Sequence, residues 1–129
     1  MPFLDTSFLF LLSFINEINT YNKFKQGNDF KINFLEKKYT HFVKEFVLSN
    51  KSPLPCKALN SSCFLDPYGN IFPCLVWDKA LGNVRDYDYN IKKLWKEPTV
   101  IKTQIDAEKL NCPNCWTPCE AYQTIAGNL

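Results

Sequence analysis

Apolar residues recur at Phe8, Leu11, Leu12, Ile15, Ile18 and Tyr21, the spacing of one helix face. Residues Thr6 to Lys25 therefore read as a helix that Gly27 can end. Phe30, Ile32 and Phe34 then alternate with polar Lys31 and Asn33, the two-residue period of a strand. From Glu36 to Leu48 the helical period returns, with Tyr39, Phe42, Val43, Phe46 and Val47 on one side. The first 50 residues thus read as helix, strand, helix. A lone strand leaves backbone donors and acceptors unpaired, so the pattern requires neighbouring strands from elsewhere. Without them, an edge at Phe30 to Phe34 predicts poor solubility.

A polar, proline-bearing break at Lys51 to Pro55 marks the expected domain boundary, dividing the chain into residues 1–50 and 51–129. Beyond it, Ser61 to Leu65 and Asn70 to Pro73 flank Asp66-Pro67-Tyr68-Gly69, two short strand-like runs around a proline–glycine turn. This predicts a β-hairpin that brings Cys56, before it, close to Cys74, after it. Gly82 to Asp86 reads as a loop and Asp88 to Lys96 as a short helix carrying Ile91, Leu94 and Trp95. Pro98 opens another helix through about Lys109. Thr117, Pro118 and Glu120 form the signature of a capping box, opening a last helix that ends near Gly127. The fold class is α+β: helix–strand–helix, then a small β-hairpin with short helices.

Charge and composition narrow the function. A formal net charge of +2 argues for neither nucleic acid nor an anionic membrane as partner. The apolar run from Phe8 to Ile15 follows Asp5 rather than a basic residue, lacks a small-residue cleavage site, and is too short to span a bilayer. The protein is therefore expected to be cytoplasmic. Aromatic residues make up 16% of the chain, enough for a real core, and four glycines with no glycine-rich phosphate loop argue against a dinucleotide fold.

The six cysteines carry the chemistry. Cys112 and Cys115 have the spacing at which one turn lets two thiolates grip one metal or cluster. Cys119 falls in the first turn of the last helix, where free N–H groups and the helix dipole favour a thiolate. Cys56 and Cys74 flank the hairpin and complete a set of five for four places. Cys63 lies within a strand run and reads as a small buried hydrophobe. Two other readings are a structural zinc-binding interaction module and, outside the cell, a disulfide scaffold. A zinc ribbon usually pairs two Cys-x-x-Cys knuckles, and the second is missing. Asp66, Asp86, Asp88 and Glu120 read as turn and cap residues, His41 as a surface or half-buried residue, and Trp95 as core.

Cys56, Gly69 to Cys74, Leu81 to Val84, Lys93 to Trp95, Cys112, Cys115 and Cys119 together resemble the C-terminal cluster-binding region of radical SAM enzymes, the SPASM domain or its shorter twitch form. The resemblance covers the chain from Cys56 onward. It implies one [4Fe–4S] cluster, held by four of Cys56, Cys74, Cys112, Cys115 and Cys119, in a domain that helps hold substrate or conducts an electron. Six cysteines cannot furnish two four-thiolate clusters, which favours the single-cluster form. No Cys-x-x-x-Cys-x-x-Cys triplet, the mark of the SAM-cleaving cluster, precedes Cys56. Residues 1–50 are accordingly expected to be a C-terminal remnant of the radical SAM partial barrel, and the chain is not expected to be catalytic alone. The implied partners are a radical SAM core chain and a peptide or small-molecule substrate. Trp116 and Tyr122 would shield a cluster from water or simply pack.

Overall fold

A computed structural model describes residues 6–24, 29–60 and 62–129. The chain divides into two compact units, Met1–Pro53 and Leu54–Leu129. Among the described residues no helix is long and apolar enough to cross a membrane.

The first unit is a pair of helices, α1 (Thr6–Phe24) and α2 (Phe30–Ser49), packed on one another. The expected end of α1 at Gly27 lies outside the described residues. The strand expected at Phe30 to Phe34 is instead the first turn of α2. The reason sits just upstream. The Asp29 carboxylate caps the helix, accepting from the Lys31 N–H at 2.8 Å and the Ile32 N–H at 3.4 Å. Three alternating residues are too few to oppose a capped helix, and no strand pairs with them among the described residues. The unpaired edge and the solubility argument built on it fall with the strand. Asn50 closes α2 in the left-handed conformation, its N–H reaching the Phe46 carbonyl. The buried side chain of α2 is polar Thr40, whose hydroxyl donates to Asn22 of α1 at 3.1 Å. His41 stays exposed and pairs with Glu45 at 3.2 Å, the surface position expected of it.

In the second unit, β1 (Phe64–Leu65) and β2 (Asn70–Phe72) form the hairpin, and β3 (Gly82–Asn83) extends it to an antiparallel sheet ordered β1-β2-β3. Phe64 faces Phe72, Leu65 faces Ile71, and Ile71 faces Gly82. The segment Gly82 to Asp86, expected to be a loop, is thus a strand followed by a 3-10 turn over Val84–Tyr87. Two strand residues are too short a run to show a period. The hairpin turn is built by Asp66, whose carboxylate accepts the N–H groups of Tyr68 at 2.9 Å and Asn70 at 2.8 Å. Gly69 sits there at φ +88, and a Cβ would lie 2.7 Å from the Arg85 guanidinium and 3.0 Å from Asn83 Oδ1. Asn83 Nδ2 donates to the Tyr68 carbonyl at 3.1 Å, tying β3 back over the turn.

The remaining elements are α3 (Ile91–Leu94), α4 (Pro98–Glu108) and α5 (Pro118–Gly127). Asp88, expected to start α3, ends the 3-10 turn in the left-handed conformation, and Asn90 caps α3. Leu59, Ile71, Leu94 and Val100 form the core, with Cys63, Val84 and Trp95 packed around them. Full burial of each large apolar side chain contributes about 1.5–3 kcal/mol. Trp95 Nε1 and Gln104 Nε2 both donate to the Leu59 carbonyl, at 2.7 and 2.6 Å, and fasten α3 and α4 to the segment before the hairpin. A second cluster of Ala58, Cys74 and Ala107, flanked by Cys56 and Trp77, lies beside the cysteines. The class is α+β, with more helix than expected in the first unit.

Candidate metal centre

The second cluster and α5 position the thiols. Cys56 lies just before Lys57, whose backbone N–H donates to the Thr124 hydroxyl of α5 at 3.1 Å. The same hydroxyl stands 4.0 Å from Cys56 Sγ, and the Ala58 N–H points at that sulfur from 3.4 Å. The Lys57 stem passes so close to Gly127 that a Cβ there would stand 2.9 Å from Lys57 Cγ. Small size at the end of α5 thus lets the Cys56 segment lie against the helix. Cys74 follows β2 and is buried, and the backbone N–H groups of Val76 and Trp77 turn toward its sulfur. Cys112 and Cys115 occupy the turn between α4 and α5, where Leu110 and Asn114 take left-handed backbone conformations that reverse the chain. Cys115 Sγ rests 3.9 Å from the Thr117 hydroxyl.

Burial pushes the Cys56 thiol above its ordinary range, opposed by the Ala58 N–H and the Thr124 hydroxyl. Burial raises Cys74 likewise, opposed by the Val76 and Trp77 N–H groups. The remaining influences identify neighbours: Cys56 senses Cys112, Cys74 senses Cys115, and both sense Glu120. Cys56 and Cys74 border one packed cluster with Ala58 and Ala107, while Cys112 and Cys115 lie in the turn between α4 and α5. Cys119 is exposed at the start of α5. Burial raises the Cys63 thiol too, but Cys63 packs on the core, as its position in sequence suggested.

The capping box expected at the start of α5 does not form. Thr117 and Pro118 stand at the expected cap and first-turn positions, but no side chain caps the helix. Glu120 turns inward instead: it is 8% exposed, and Gln123 Nε2 donates to its carboxylate. Burial raises its pKa, opposed by the Gln123 hydrogen bond. Thr124, one turn further along the same face, was also not foreseen. The sequence signal was the helical spacing of Glu120, Ala121, Thr124 and Ile125, all buried on α5.

The donor set fits an iron–sulfur centre: paired thiols, backbone N–H groups aimed at sulfur, and partial shelter from water. No three His, Cys, Asp or Glu side chains among the described residues converge closely enough to hold a single metal ion. Beside Cys74 lies an open groove of about 250 Å³, lined by Phe64, Phe72, Trp77 and Asp78 among others. A model of the SPASM iron–sulfur cluster-binding domain matches residues 56–120, from the first cysteine to one residue past the last. The chain belongs to the SPASM family. Its second unit is accordingly an iron–sulfur cluster-binding domain. Searches among curated proteins and among solved structures gave no match. Within this SPASM domain, all the expected ligands lie inside the matched region.

Proposed function

We propose that the SPASM domain binds one [4Fe–4S] cluster through Cys56, Cys74, Cys112 and Cys115, as the auxiliary-cluster domain of a radical SAM-type protein. The observation that supports this ligand choice is that Cys56 and Cys74 pack at one cluster and are sheltered, as Cys112 and Cys115 are in part, while Cys119 is exposed. A single zinc ion draws its sulfurs to about 2.3 Å from one centre. A four-iron cluster gives each thiolate an iron of its own and spaces the sulfurs more widely, in keeping with the lack of a single-ion site among the described residues. The cluster supplies one-electron chemistry when bound. The chain's own residues shelter it through Trp116, 6% exposed, and direct N–H groups at its ligands.

The role is electron transfer or substrate positioning, and the groove of Phe64, Phe72 and Trp77 beside Cys74 supports the latter. These 129 residues hold no Cys-x-x-x-Cys-x-x-Cys triplet, so the SAM-cleaving cluster of the proposed system is carried outside them, as a radical SAM core chain would carry it. The test is iron, zinc and sulfide analysis of protein purified without oxygen, with an absorption spectrum. About four irons and four sulfides per chain, with broad absorption near roughly 400 nm that bleaches on reduction, is the expected result. One tightly held zinc without sulfide would replace the cluster with a structural zinc module.

A further inference from the structure

The first unit makes helices without making a core. Among its described residues the buried side chains are Thr40 and Ser52, both polar. Large apolar side chains stay open instead: Phe8 is 48% exposed, Leu12 44%, Phe30 84% and Phe34 38%. A helix pair that buries no large apolar side chain has little to set against the entropy of ordering it. Something must cover these residues, and the way α1 meets α2 indicates what.

The two helices are out of step. The Thr40 hydroxyl donates to Asn22 Oδ1 at 3.1 Å, and Lys44 Nζ donates to Asn19 Oδ1. Residue numbers fall along α1 as they rise along α2, so the helices run antiparallel. Asn22 stands two residues before the end of α1, but Thr40 stands ten after the start of α2. At that end α2 therefore runs on about eight residues, roughly 12 Å, beyond α1. At the other end α1 starts sixteen residues before Asn22, while α2 stops nine after Thr40. There α1 runs on about seven residues, roughly 10 Å. Each overhang carries an exposed apolar pair one helical turn apart: Phe8 and Leu12 on α1, Phe30 and Phe34 on α2.

We propose that the two overhangs are the halves of an interface between two copies of this chain. A half-turn about an axis across the helices sets the α1 overhang of one copy beside the α2 overhang of the other, twice over. The overhangs are nearly equal in length, and the two helices then run in the same direction with apolar pairs at the same spacing. Phe8 of one copy meets Phe30 of the other, and Leu12 meets Phe34. With about 150–250 Å² for a whole phenylalanine, the exposed parts of these four side chains present about 400 Å² per copy. That is close to the apolar share of the roughly 800 Å² each partner gives to a stable interface. A lipid surface fits less well, because Asp29 and Glu36 interrupt the basic positions Lys31, Lys37 and Lys38. Phe10, two residues from both Phe8 and Leu12, points to the opposite side of α1 and lies outside the interface. Pairing of this kind does not depend on the cluster.

The test is sedimentation equilibrium of the full chain at micromolar concentrations, in wild type, Leu12→Glu, Phe30→Glu and Phe10→Glu. Wild type is expected to show twice the mass of one chain. Leu12→Glu and Phe30→Glu place a charge in the interface and should raise the dimer dissociation constant at least about tenfold. Phe10→Glu should leave it unchanged. All three side chains are exposed within one copy, so each variant should keep wild-type helix content by circular dichroism. Phe30→Ser, which adds no charge, replaces Phe30→Glu if helix is lost. A monomeric wild type would overturn the proposal. So would a dimer that Leu12→Glu and Phe30→Glu leave intact, or one that Phe10→Glu weakens equally. Binding of a monomeric chain to vesicles of phosphatidylcholine and phosphatidylserine would assign the overhangs to a membrane, and would also overturn it.

Discussion

The two units hold themselves together by different means. In the second, Ile71, Leu94 and Val100 are wholly buried, and hydrogen bonds from Trp95 and Gln104 converge on the Leu59 carbonyl. In the first, Thr40 fastens α2 to α1, while Phe10 is 73% and Phe24 83% exposed. Helix periodicity and a good cap make the first unit's helices. Close packing of a few apolar residues makes the second unit a scaffold on which the cysteines are set. Local pattern alone can specify an element, but placing a site requires a core.

Truncating that core should separate the units most sharply. Ile71→Ala or Leu94→Ala is expected to cost about 2–5 kcal/mol, because each leaves a cavity at a fully buried position. Phe10→Ala should stay within about 0.5 kcal/mol, since its side chain is largely exposed. Chemical denaturation of each variant measures both; equal losses would erase the contrast. Gly69→Ala comes next. Its positive φ strains any L side chain, and Arg85 and Asn83 must shift to admit a Cβ, so it should destabilise the hairpin by about 1 kcal/mol. Thermal melting checks this, and an unchanged midpoint would show that the turn yields easily.

These same features explain what could be read in the chain beforehand. Asp66 and Gly69 announced the hairpin because turn chemistry is local. Thr117 and Pro118 likewise announced α5 at its start. The alternation of Phe30, Ile32 and Phe34 mimics a strand, but the Asp29 cap upstream commits them to a helix. Gly82–Asn83 gave no sign of a strand because its register comes from Asn70 and Ile71, partners distant in sequence. For the proposed ligands, cysteine spacing points to Cys112 and Cys115, and the hairpin to Cys56 and Cys74. Glu120 reads as a cap in sequence because capping-box spacing cannot tell an outward carboxylate from one that packing turns inward.

A smaller effect concerns pH. Burial raises the Cys56, Cys63 and Cys74 thiols, so the metal-free folded state holds their protons more tightly than the unfolded chain does. That contribution to stability is fully present below the ordinary thiol value of about 8.5 and is lost as pH rises through the raised folded values. Metal-free protein should therefore unfold at lower denaturant as pH climbs above about 8.5, and cluster loading should release protons. A denaturation midpoint flat across that range would mean the thiols are not sheltered.

The most direct test of the central claim compares iron and sulfide content in Cys115→Ser and Cys119→Ser, purified and reconstituted side by side without oxygen. Cys119→Ser is predicted to retain about four irons and four sulfides per chain, and Cys115→Ser to lose most of both. Loss in Cys119→Ser equal to that in Cys115→Ser would contradict the four-thiol site assigned to Cys56, Cys74, Cys112 and Cys115.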